Sequence, residues 1–220
     1  AGCAGGPSEA GQEQQEDTLH ILATTYPVYL FTKAVTQQAQ GVEVTRLITQ
    51  EISCLHDYTL TVTDMKAIEQ ADIIVMNGAG LEDFMDDALA SSDAPVIDCS
   101  EGIELLPAPG HEGHNHDIGY DPHIWMDPSR AAQMIENIGA GLAQADPAQA
   151  EGYEEQALSA SFLLENWYGV KLDVIASDQP DLQLPHRELI TFHDGFEYFA
   201  QAFDLELLKS IEEEEGSEAS

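Results

Sequence analysis

Three of the eight histidines occur in one kind of setting. His56 stands in Leu55-His56-Asp57-Tyr58, His123 in Asp121-Pro122-His123-Ile124-Trp125-Met126-Asp127-Pro128, and His193 in Phe192-His193-Asp194. A neutral imidazole nitrogen is a good zinc donor, and three of them leave a fourth position for a carboxylate or water. The same donors around a metal-bound hydroxide would suit a hydrolase or hydratase, with Asp57 or Asp194 as the proton-transfer group. Their separations, 67 and 70 residues, match neither a compact zinc finger nor a His-Glu-x-x-His helix. A hydrogen-bonded structural role is therefore the competing reading for each histidine. Asp57 and Asp194 directly follow two of the three and suit orienting an imidazole; Asp194 equally suits capping the helix after it. His20 and His186 read as surface histidines.

The elements that must position these side chains alternate. His20 to Thr24, Val42 to Leu47, Asp72 to Met76 and Pro95 to Asp98 read as strands. Between them, helices are predicted over Val28 to Gln38, Thr61 to Gln70 and Leu81 to Leu89, the second opening on a Thr61/Asp64 capping-box pattern. This β-α order predicts a parallel α/β sheet. Ligands of such sheets bind beyond the carboxyl ends of the strands, where His56 and His193 fall and which His123 can reach from its loop.

Asp127-Pro128 and Asp146-Pro147 each read as an N-cap followed by proline in the first helical position. The second opens a run to about Ser177 with Tyr153, Ala157, Ala160, Leu164, Tyr168, Leu172 and Ile175 on one face. Thirty helical residues make a rod of about 45 Å, long enough to join two lobes, with Gly169 its weak point. Beyond it, Glu188 to Phe192 and Leu205 to Ser210 read as strands around a helix over Asp194 to Ala202. Two strands and one helix cannot bury an independent core, so the second lobe reads as unfinished. The chain thus divides into a tether (1–18), an α/β lobe (19–126) carrying a Gly- and His-rich loop (107–120), linking helices (127–180) and the start of a second α/β lobe (181–220). Trp125, Phe192, Phe196, Tyr198 and Phe199 read as core, a dry wall beside the histidines.

Charge narrows the function classes. Lys and Arg number 7 against 41 Asp and Glu, a net charge of −34, which excludes a basic footprint for nucleic acid or anionic lipid. With 43% hydrophobic residues the composition remains globular. A strongly negative surface serves solubility and also concentrates cations. No apolar run reaches the roughly 20 residues of a membrane helix. Ala1-Gly2-Cys3 resembles the tail of a bacterial lipobox, and a polar stretch to Asp17 follows it; lipid on Cys3 would anchor the protein outside the cytoplasmic membrane. Cys54 and Cys99 remain, as a disulfide or as two buried thiols.

Tyr26-Pro27-Val28-Tyr29, His56-Asp57-Tyr58, Asn77-Gly78-Ala79-Gly80-Leu81-Glu82, Asp121 to Pro128, and Thr191-Phe192-His193-Asp194-Gly195-Phe196 occur in this order. In that order they resemble the metal-binding solute-binding proteins of bacterial ABC importers, most closely the zinc-uptake branch, from about Leu19 to Gly216. The resemblance implies two α/β lobes bridged by a long helix, Zn²⁺ held between them, and delivery to a membrane permease with its ATPase. It carries the family's three ligand positions onto His56, His123 and His193. Manganese members typically have Glu at the third, so His193 favours Zn²⁺ over Mn²⁺. Some zinc members place Glu before the first histidine, where this chain has Leu55, and the fourth ligand stays unassigned, with water the simplest candidate. The segment His111-Glu112-Gly113-His114-Asn115-His116-Asp117 resembles the His-rich insertion of zinc members, an auxiliary metal loop or a solvated one. The expectation is a monomeric, lipid-anchored zinc-capturing protein and not an enzyme; some relatives are surface adhesins, which is the further alternative.

Overall fold

The structure is a computed structural model that describes residues 18–49, 58–108, 119–176 and 186–211. Its first sheet contains β1 (Leu19–Ala23), β2 (Val42–Arg46), β3 (Ile73–Met76) and β4 (Val96–Asp98), in the order β2-β1-β3-β4 and parallel throughout. Both faces are covered, as a parallel sheet requires. Period-two alternation divides the strand residues between them. Ile21, Ala23, Val75 and Ile97 enter one core, while Leu22 and Ile74 enter the other with Ile68, Met85 and Ala88.

Local sequence accounts for most helix boundaries. In α1 (Tyr26–Val35), Pro27 occupies the first turn and Val28, Thr32 and Val35 form the buried stripe. In α2 (Val62–Gln70), Thr61 and Asp64 close a reciprocal capping box as predicted. The helix expected from Leu81 begins later: a 3₁₀ turn over Asp83–Met85 leads into α3 (Asp86–Leu89). Positive φ at Gly78, Ala79 and Gly80 turns the chain there, and Glu82 points inward to hold that turn instead of lying on a helix.

Asp127 accepts from the Ser129 N–H and so caps α4 (Pro128–Ala145). After a 3₁₀ turn over Pro147–Gln149, α5 (Ala150–Ala176) runs helical through Gly169, a rod of about 40 Å. Tyr153 and Ala157 are buried on its inner face, with Ala160 and Leu164 packed beside them. The side chains of Tyr168, Leu172 and Ile175 lie outside the described residues. The two helices approach closely at Gly139, where a Cβ would come within 2.4 Å of the Ala157 Cβ.

A second parallel pair, β5 (Glu188–Thr191) and β6 (Glu206–Ser210), follows with α6 (Glu197–Ala202) between its strands. Two expectations are corrected here. Asp194 does not cap α6, whose N-cap is Phe196; the chain passes through a positive φ of 157° at Gly195, and Asp194 instead accepts from the Ser210 hydroxyl at the end of β6 (3.1 Å). Phe192 is not core: it is 65% exposed one residue past β5, whereas Tyr198 is fully buried. Cys99 is a buried free thiol at the end of β4, and Cys54 lies outside the described residues. No helix among the described residues is long and apolar enough to cross a membrane.

Candidate metal site

His123 and His193 meet. Their Nε2 atoms are 3.3 Å apart, although 70 residues of chain separate them. Each arrives differently. His193 follows β5, while His123 sits on a loop that enters the 3₁₀ turn Ile124–Met126 leading to α4. That loop is fixed by Asp121, whose Oδ1 accepts from the His123 backbone N–H (2.9 Å) and from its ring Nδ1–H (2.6 Å). Burial alone would raise the Asp121 carboxyl, but the hydrogen bonds and charge of His123 outweigh it and hold it below the usual carboxylate range. An ionised carboxylate accepts only, so the bond from Nδ1 to Asp121 favours, for the neutral ring, the tautomer with its proton on Nδ1 and a lone pair on Nε2.

The packing around the pair leaves the imidazole little room. A Cβ on Gly195 would lie 2.8 Å from three atoms of the His123 ring. Trp125 packs against the ring at a tilt of 54°, with centroids 5.2 Å apart. Beneath them, the Tyr198 hydroxyl donates to the Asp121 carbonyl (2.8 Å) and accepts from the Leu106 N–H (2.9 Å). Arg130 lies over the Tyr198 ring and pairs with Asp127. In this way α6 is tied to the loop that bears His123.

A second polar chain reaches the same loop from the first sheet. Glu82 is 1% exposed and accepts from the Thr24 hydroxyl (2.6 Å) and from the backbone N–H of Asn77 (2.7 Å) and Gly78 (3.0 Å). Asn77 Nδ2 in turn donates to the Pro122 carbonyl (3.0 Å), next to His123. Burial is the main influence on Glu82 and pushes its carboxyl up to about 7 against these three donors.

Two of the three expected ligands are therefore together. His56, Asp57 and the loop histidines His111, His114 and His116 lie outside the described residues, as does Cys3. Among the described residues no three metal-donor side chains converge. His20 and His186 are exposed beside Glu43 and Glu188, as expected of surface histidines. Sequence reasoning gave no role to Asp121 or Glu82 and read Tyr198 only as core, without its hydrogen bonds. Only Asp121 carried a local signal, an Asp two residues before a histidine with proline between.

Nitrogens each about 2.0–2.1 Å from one tetrahedral Zn²⁺ are about 3.3–3.4 Å apart, so the observed 3.3 Å separation matches that of two ligands of one ion. Comparison with known proteins agrees with that chemistry. The high-affinity zinc uptake system protein ZnuA of Bacillus subtilis is 28% identical over 215 residues, covering 93% of this chain and 65% of that protein. The solute-binding protein FpvC of Pseudomonas aeruginosa, solved with Ni²⁺, superposes with a TM-score of 0.74 at 26% identity over 92% of this chain and 70% of that one. Zn(II)-bound AdcA of Streptococcus pneumoniae gives 0.72 at 26% identity over 87% of this chain and 39% of that one. The chain thus spans 65% of the first relative's length and less of AdcA. The model of zinc-uptake complex component A, periplasmic (ZnuA) matches residues 21–220, and the chain belongs to that family.

Proposed function

We propose that this chain is the ion-capturing component of an ABC uptake system, with Zn²⁺ as its cargo and His56, His123 and His193 as its protein ligands. The observation that carries this reading is the 3.3 Å approach of the two Nε2 atoms, with the opposite nitrogen of His123 committed to Asp121. An imidazole set selects Zn²⁺ over Mn²⁺, which binds more weakly and prefers oxygen donors. His56 completes a three-nitrogen face, water takes the fourth position, and the captured ion passes to a membrane permease driven by its ATPase. The protein acts as a binder, not an enzyme, and as a monomer, held by lipid on Cys3 at the outer face of the cytoplasmic membrane. The loop 107–120, through His111, His114 and His116, is an auxiliary site that gathers further zinc. The division into tether 1–18, lobe 19–126, linking helices 127–180 and second lobe from 181 fits this use, since the ligands then come from both sides of a cleft.

Zinc titration of the metal-free chain against a chromophoric chelator, repeated in excess manganese, tests the reading. The expected result is tight zinc binding that survives manganese and is lost in H56A, H123A and H193A. Deleting residues 111–117 is expected to lower stoichiometry and spare the principal affinity. Undiminished affinity in all three histidine variants would overturn the assignment.

A further inference from the structure

Asn77 stands one residue past β3 and is fully buried. Its amide Nδ2 faces two carbonyls, donating to Gly78 (3.0 Å) and to Pro122 (3.0 Å). Neither carbonyl depends on it. The Leu81 N–H reaches the Gly78 oxygen (3.2 Å), and the Ile124 N–H reaches the Pro122 oxygen (2.8 Å). The amide's own Oδ1 is buried as well and meets no donor among the described residues. A side chain that leaves its acceptor unsatisfied in the interior, while adding second bonds to carbonyls already served, is a poor stabiliser. What its bonds supply is direction.

That direction is given to the peptide joining Pro122 to His123. Its oxygen is held by Asn77 and Ile124, and its N–H, which is that of His123, by Oδ1 of Asp121 (2.9 Å). A peptide unit is planar, so holding both edges fixes the whole plane and the Cα of His123 with it. The other end of the contact is equally fixed. The Asn77 backbone N–H donates to Oε1 of Glu82 (2.7 Å), and the Thr24 hydroxyl, one residue past β1, donates to the same oxygen (2.6 Å). The amide is thereby rooted on the carboxyl ends of β1 and β3, and it reaches a carbonyl 45 residues away in the chain.

We infer that Asn77 is a positioning residue of the metal site: its amide holds the Pro122–His123 peptide in one plane and thereby sets where His123 presents its ring to the ion. Tyr198 holds the preceding carbonyl, that of Asp121, from α6. Two consecutive carbonyls ahead of His123 are thus gripped by side chains from separate elements, and of the two only Asn77 acts on the peptide that contains the His123 nitrogen. The inference rests on the zinc reading for the ion, whereas the clamp itself belongs to the metal-free protein.

N77A and N77L separate positioning from packing: both lack the donor, and leucine keeps the branched shape of the amide while alanine does not. Chelator competition reads zinc affinity, hydrogen exchange of the His123 backbone N–H in the metal-free chain reads the peptide, and thermal unfolding reads the fold. Zinc affinity is expected to fall about tenfold in both variants, and the His123 N–H to lose protection in both, with cooperative unfolding retained. Wild-type affinity in a folded variant, or recovery in N77L of what N77A loses, would overturn the inference. Loss of the fold in both variants would overturn it too, by assigning Asn77 to the fold alone. Should the wild-type chain bind no zinc, the proposed function fails, and exchange at the His123 N–H decides for or against the clamp.

Discussion

Gly195 and His123 share a contact that admits no side chain: a Cβ at position 195 would lie 2.8 Å from Cε1, Nδ1 and Nε2 of the imidazole. A shift of the ring would strain its short bond to Asp121, and the positive φ at Gly195 adds backbone strain to any substitution. G195A is therefore expected to cost about 1–3 kcal/mol of stability through overpacking and to weaken zinc binding about tenfold or more by displacing His123. Chelator competition and urea unfolding of the same samples measure both. Wild-type affinity in a folded G195A would show that the ring position does not matter.

Glu82 should leave a signature in the pH dependence of stability. Its carboxyl is raised from 4.5 to about 7, so between those values the native chain holds a proton that the unfolded chain has released. Stability is then fully present below about 4.5, falls as pH rises through that window and levels off above it, a loss on the order of 3 kcal/mol from this group. In E82Q the contribution disappears, and the difference between wild type and variant isolates it from the other carboxylates. The amide also sets an N–H against one of the three donors, costing about 1–3 kcal/mol at low pH. Urea unfolding from pH 4.5 to 8 reads both, and parallel wild-type and E82Q curves would refute the assignment.

Tyr198 carries two bonds on one hydroxyl, to Leu106 and Asp121. Y198F strands a backbone N–H and a carbonyl beneath the site and is expected to cost about 1–3 kcal/mol. Because the side chain of Asp121 still holds His123, zinc affinity should fall much less than it does in H123A. A Y198F chain as stable as wild type would mean that these bonds contribute nothing net.

The charge imbalance predicts a salt requirement. With a net charge of −34, self-repulsion opposes the compact state, and the screening length shrinks from about 10 Å at 0.1 M salt to about 3 Å at 1 M. Thermal unfolding in 0.1 M and 2 M potassium chloride is expected to show a gain of at least about 1 kcal/mol, on the order of 2–4 °C in Tm. A Tm that falls with salt would show that attractive ion pairs dominate the surface.

What could be read ahead of the structure was what depends on near neighbours. The Thr61/Asp64 box and the Asp127-Pro128 start each involve residues within a turn of one another, and both form as expected. The parallel order of the strands followed from their alternation with helices. The partner of His123 precedes it in the chain, whereas the local pattern at His56 and His193 points to the aspartates that follow them. Asp194 is held instead by Ser210, and Asp121 reaches forward over Pro122. Glu82 was out of reach for another reason: its partners at Thr24 and Asn77 come from different strands, and only the sheet sets them side by side. The exposed Phe192 shows the same limit, since an aromatic beside a strand is core only if something packs on that face.

If His123 and His193 hold the ion as proposed, their approach also makes that ion a clasp. An ion gripped by both side chains closes a loop of 70 residues that includes all of α4 and α5. Such a closure removes chain entropy from the opened state as a covalent bridge would, by an amount that changes only slowly with loop length. On that reading loading and tightening are one event: the occupied protein would resist opening, heat and proteolysis more than the empty one, a difference in rigidity by which loaded and empty forms are told apart.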